Sequence, residues 1–166
     1  MASGNTLLQL FPQSNEPTST IFATLDLRNL HPVLDFDGTT DEEAVFTAIL
    51  PAHYAGGGVN VKLFVGFTSA TTGTSRWHTS FELIDLSSLD VDADSFATAN
   101  SGGVAAPGTS GQIVTATIAH TTGAQMDSTT TGEMFRLKVR RDADGTSGTD
   151  DITSDAELYG IELTEI

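Results

Sequence analysis

Apolar residues in this chain recur at every second position rather than every third or fourth. Val59, Val61, Leu63, Val65 and Phe67 share one phase, with Asn60 and Lys62 on the other. Trp77, Thr79, Phe81 and Leu83 alternate with Arg76, His78, Ser80 and Glu82. Phe135, Leu137 and Val139 alternate with Arg136, Lys138 and Arg140. A period of two places each set on one side of a sheet. Strands are predicted near 6–10, 21–27, 33–36, 44–49, 59–67, 76–84, 113–120, 133–140 and 158–164. Short strands at such intervals make a sandwich or barrel, and the one-sided sets call for two sheets facing each other.

The segments between strands refine this picture. An apolar strand stops at Leu50–Pro51, turns through Tyr54 and Gly56, Gly57 and Gly58, and gives way to the alternating 59–67 run. The polar stretch 87–110, whose one aromatic is Phe96, reads as a long inter-sheet connection with a helical turn at 94–99. A second polar insert, 142–155, separates the last two strands. Pro12, Pro17 and Pro32 punctuate a less regular start. Residues 1–30 are therefore expected to form an extended arm, and 31–166 the sandwich domain.

At 166 residues the chain can bury a full core without metal or disulfide. The absence of cysteine removes thiolate chemistry and Cys-based zinc sites. Seven Lys and Arg stand against 22 Asp and Glu, for a net charge of -15. That field repels phosphate backbones and anionic headgroups, so neither nucleic acid nor membrane is an expected partner. The start, MASGNTLLQLFPQ, lacks the basic and apolar regions of a signal peptide. No apolar run approaches the roughly 20 residues of a membrane helix.

Candidate chemistry is sparse. Asp142, Asp144, Asp150 and Asp151 around Gly145 invite a calcium reading, but a third spaced carboxylate and a terminal Glu are missing. A solvated hairpin loop is preferred, as it is for Asp90, Asp92 and Asp94. His31, His53, His78 and His120 have no ligand spacing and no evident nucleophile, so they read as surface or turn residues. The 56–58 glycines lack the helix and lysine of a phosphate cradle and read as a turn. Arg136, Lys138, Arg140 and Arg141 fit a cross-strand ladder with carboxylates such as Glu82 or Glu162. Trp77, in phase with Phe81 and Leu83, belongs to the core. No cofactor, metal or catalytic residue is expected.

One resemblance rests on specific residues. Ala44, Val45 and Phe46, Leu50–Pro51, Tyr54, the 56–58 glycines, Trp77 and Phe81 form the first part of a series. Gly132–Glu133, Phe135, Arg136 and Leu137, Arg141–Asp142 and the run 155–160 close it. The series resembles a jelly-roll β-sandwich module of tailed-bacteriophage structural proteins, over about residues 35–166. The resemblance implies an all-β, antiparallel two-sheet jelly-roll with an extended N-terminal arm, and a virion protein rather than an enzyme. With no shaft or heptad repeat, it implies a capsid decoration (cement) protein on the outer capsid surface, made in the host cytoplasm. Its partner would be the major capsid protein, its assembly a homotrimer, and Leu7, Leu8, Leu10 and Phe11 of the arm its docking residues. Binding the closed shell and not its opened form would stabilise the shell by mass action. The alternative is a tail-associated receptor- or carbohydrate-binding module, for which Tyr54 and Tyr159 are the aromatics to test.

Overall fold

The structure, a computed structural model, describes residues 4–86 and 88–166. Ten strands run in chain order: β1 (Thr6–Leu10), β2 (Thr24–Arg28), β3 (His31–Phe36), β4 (Glu43–Ile49), β5 (Val59–Phe67), β6 (Thr74–Ile84), β7 (Asn100–Ala105), β8 (Val114–His120), β9 (Met134–Arg141) and β10 (Ala156–Glu165). They form a six-stranded sheet, β2-β3-β10-β5-β8 with β1 also on β10, and a four-stranded sheet, β4-β9-β6-β7. Every ladder is antiparallel. Strands β3 to β10 divide between the two sheets as 3-10-5-8 and 4-9-6-7, which is the double Greek key of a jelly-roll sandwich.

The alternating sets meet between the sheets as predicted. Val61, Leu63, Val65, Phe67, Trp77, Phe81, Phe135, Leu137 and Val139 are all buried in one core. Each such side chain contributes about 1.5–3 kcal/mol of gross stabilisation. Trp77 meets Phe36 edge-on at 5.0 Å between centroids and donates its indole N–H to Ser75 Oγ at 2.9 Å. The glycine corner is a turn: Gly56 and Gly58 have φ of 95° and 109°. A Cβ on Gly58 would stand 2.5 Å from the His120 carbonyl oxygen. The Tyr54 hydroxyl, buried beneath, accepts the Gly58 N–H at 2.9 Å.

Four expectations need correction. The expected arm, residues 1–30, does not lie outside the sandwich over its described part, residues 4–30. β1 pairs with β10, β2 and β3 make one hairpin across the expected boundary, and 11–23 connects them through a 3-10 turn at Pro12–Ser14 and a stretch bridged to β4. Leu7 and Leu10 are buried in the core because β1 carries its apolar side chains under β10. The 87–110 connection contains β7, and 94–99 has no helical turn; Ser87 itself lies outside the described residues. His120 is a core residue, with 0% exposure. Its Nδ1 donates to the Gln125 carbonyl at 3.1 Å, which leaves Nε2 to accept from the Thr79 hydroxyl at 2.7 Å. Burial holds its pKa below the usual histidine value, so the ring is neutral.

A shallow aromatic groove on the six-stranded sheet

The outer face of the six-stranded sheet carries a groove built from three neighbouring strands. On β5, Phe64 falls out of phase with the core set and points outward, opposite Gly160 of β10. A bulge between Leu158 and Gly160 turns Tyr159 to the same face. The Tyr159 ring lies over Gly66, where a Cβ would stand 2.9 Å from Cε2, so only glycine lets the ring lie down there. Phe11, 54% exposed just past β1, lies beside Gly160, and Ile113 closes the opposite side. The cleft among these rings measures about 210 Å³.

Tyr159 and Ile113 also line an adjoining polar cleft of about 390 Å³, with Arg28, Asn29 and His31. Here the Arg28 guanidinium bonds the Glu157 carboxylate and donates to the Phe67 carbonyl at 2.6 Å. The bond to Glu157 holds the Arg28 pKa above its ordinary value. Tyr159 donates its hydroxyl to Glu157 at 3.2 Å. Burial, then the Glu157 charge, raises the Tyr159 pKa, so the phenol stays a hydrogen-bond donor. At the far rim Lys62 meets Glu162 at 3.2 Å, and Thr6 donates to Glu162 at 2.6 Å. An apolar floor with a fixed donor–acceptor pair at one end suits a flat ligand with a C–H face and hydroxyl edges.

The four residues expected to dock on a partner separate here. Leu7 and Leu10 are core, Leu8 is half-buried against it, and Phe11 alone reaches the groove. Tyr159 belongs to the groove, whereas Tyr54 is buried at the glycine corner. Sequence reasoning missed Phe64, although its phase within β5 marked it as outward.

The other candidate clusters are occupied by their own partners. The basic strand does form a ladder: Arg136 bonds Glu82 at 2.8 Å, Lys138 meets Glu43 at 3.4 Å and Arg140 meets Asp41 at 3.6 Å. Arg141 departs from it, facing inward at 0% exposure with a two-point bond to Asp150, both arms 3.0 Å. Its remaining N–H groups go to the carbonyls of Phe36, Asp37, Ile152 and Ser154. Asp41, Asp142 and Asp144 converge, but the Arg140 guanidinium already lies against Asp41 and Asp142.

His78 Nε2 lies 2.5 Å from Ser147 Oγ, which lies 2.5 Å from Asp142. In a nucleophilic triad the carboxylate would hold the far ring nitrogen. Here Asp142 instead takes Ser147 N–H and Oγ and the Thr146 hydroxyl, organising its own loop. Burial raises the Asp142 pKa, but those hydrogen bonds outweigh it and hold the group below the usual carboxylate range.

No family model and no curated protein matches this chain. Solved structures do. The CBM22-2 xylan-binding domain of Xyn10C from Paenibacillus barcinonensis is 12% identical, with a TM-score of 0.53 over 96% of this chain and 99% of that one. The C-terminal CBM6 of LamC, a marine laminarinase from Zobellia galactanivorans, is 13% identical, with a TM-score of 0.52 over 97% and 100%. The CBM35 of Cellvibrio japonicus Abf62 is 9% identical, with a TM-score of 0.52 over 94% and 92%. At such identities the likeness is one of fold: this chain is an antiparallel β-sandwich of the same architecture as these carbohydrate-binding modules.

Proposed function

We propose that this chain is a non-catalytic recognition module that binds a neutral carbohydrate along the outer face of its six-stranded sheet. The observation that carries the reading is the groove of Phe11, Phe64 and Tyr159, floored by Gly66 and ended by the Arg28–Glu157 pair. A pyranose ring offers an apolar C–H face to such rings and hydroxyls to such a pair. A net charge of -15 disfavours acidic glycans and leaves neutral ones. The fold shared with modules described as xylan-binding agrees with this reading. A glycan array followed by titration calorimetry on hit oligosaccharides tests it. Binding should be lost in Phe64→Ala with the unfolding midpoint kept; no binding to any neutral glycan sinks the reading.

The second reading is the decoration of a phage shell. It is favoured by the motif series that resembles phage jelly-roll modules and by the exposed apolar side chains of the 21–30 stretch, Ile21, Phe22, Leu25, Leu27 and Leu30. Since Leu7 and Leu10 are core, docking there would fall to Phe11 and to this cluster. Counting copies per particle decides it: hundreds mark shell decoration, and absence from purified virions removes it.

A further inference from the structure

Strand β2 differs from the margins at β4 and β8. On β4, Asn15 and Glu16 bond Val45, and Ala23 bonds Glu43. On β8, the Asn100 side chain of β7 takes the Ala119 carbonyl at 2.7 Å. β2 and β3 are joined by a two-residue turn, Asn29 and Leu30, so Arg28 and His31 close the ladder and alternate pairs share its bonds. Leu25 and Leu27 therefore point their N–H and C=O groups away from β3. Among the described residues, the one hydrogen bond on that row runs from Leu27 N–H to the carboxylate of its neighbour Asp26, at 2.7 Å.

The same residues carry uncovered side chains. Leu25 and Leu27 pair across from Leu34 and Pro32, on the face that is core further along the sheet, yet they are 55% and 59% exposed. Leu30 at the hairpin tip is 85% exposed and has φ of 68°, a conformation that favours glycine or asparagine. A leucine kept in that conformation, out in solvent, signals a contact that the isolated chain does not supply. β2 also has neither lysine nor proline, the usual guards of an open edge.

Charge identifies the occupant. Residues 17–34 hold one Asp and one Arg, Asp26 and Arg28, either side of Leu27, with the acidic cleft of Asp35, Asp37, Glu42 and Asp155 beside Thr24. In a two-fold antiparallel pair centred on Leu27, Asp26 of each copy stands opposite Arg28 of the other, so the charges of this strand are complementary to those of a second copy. We infer that β2 pairs edge to edge with β2 of a second copy about a two-fold axis, with Leu25, Leu27 and Leu30 as the apolar contact. The inference is independent of the sugar groove.

Light scattering and sedimentation of the full chain across the micromolar range test it. The expected species is twice the 17.4 kDa chain, tightening as salt screens the repulsion between copies. Leu25→Glu with Leu27→Glu should weaken association by at least about 100-fold, with the far-ultraviolet spectrum unchanged. Leu30→Gly relieves the turn, so it should keep or raise the unfolding midpoint while weakening the dimer several-fold. A monomer at every concentration overturns the inference. So does a trimer, a dimer that salt dissociates, or a dimer that survives both variants.

Discussion

The outer faces of the two sheets are finished in opposite ways. On the four-stranded sheet every basic side chain of β9 that points outward meets a carboxylate, and Arg136 and Lys138 also lie over the Phe96 ring, at 5.4 and 4.6 Å. The 85–99 segment, pinned by Ala97 N–H to the Phe81 carbonyl at 2.7 Å, brings that ring there. The six-stranded sheet leaves Phe11, Phe64 and Tyr159 open along a groove, and its charges gather at the two ends. On the four-stranded sheet the charges are paired and the half-buried Phe96 lies under two cations, so the cleft of about 210 Å³ beside it is lined by His78, Lys138 and Arg140 and not by open rings. Open rings with a fixed polar end leave a surface ready for a ligand.

The strongest way to break the comparison is to remove what holds both faces in place. Arg141 ties β9 to Asp150 and to carbonyls of the β3 end and the 150–154 loop, all without solvent. Arg141→Ala leaves Asp150 buried without its cation and should cost about 3–5 kcal/mol in chemical denaturation. A loss below about 1 kcal/mol would show that the loop is dispensable.

Tyr159→Ala tests the open face directly. Oligosaccharide affinity should fall at least about tenfold, or about 1.4 kcal/mol, in calorimetry. Gly66→Ala should weaken binding in the same direction by lifting the ring. Retained affinity in both variants would move the site elsewhere.

The third test concerns an acidic cleft beside β3, lined by Asp35, Asp37, Glu42 and Asp155. Burial, and then the charges of Asp155, Glu157, Asp26 and Glu42, push Asp35 up to about 6. A raised carboxyl pKa means that its protonated form stabilises the fold. That contribution is complete below the unfolded value near 3.8 and is lost as pH rises through about 6. Asp35→Asn should therefore melt higher than wild type at pH 7.5, with the gap closing by pH 4.5. A pH-independent gap would assign the effect to packing. Taking the difference between the two proteins removes the opposite contributions of His78 and His120, whose pKa values burial lowers.

The smallest effect belongs to the covered face. Lys138→Ala breaks a half-buried pair with Glu43 and should change stability by less than about 1 kcal/mol, with glycan affinity unchanged. A tenfold loss of affinity there would erase the distinction between the two faces.

The sandwich was legible because alternation is local. Phe81 and Phe135 had to face the same way as Trp77 and Leu137 whatever they packed against. β7 was not legible, because its NSGGVA segment has no alternating apolar residues and is a strand through its pairing with β6. Arg141 continued the outward pattern of Arg136, Lys138 and Arg140 by residue type, but an even step from an odd position, Val139, put it inside. The groove was half legible. Phe64 and Tyr159 could be recognised as outward or ambiguous, yet nothing local says that Phe11, far away along the chain, comes to lie beside Gly160.

The amino-acid order by itself therefore determined the fold class, the core faces, the glycine corner and the acidic net charge of -15. These follow from the period of two, from backbone sterics and from composition, none of which needs long-range information. Tertiary structure alone decided that β1 and β2 are sheet strands, that His120 and Arg141 are buried, and that three distant aromatic rings share one groove. Each of these depends on which strands come together in the sheets, several of them far apart in the chain as β1 and β3 are from β10, and the order of pairing is a property of the whole core.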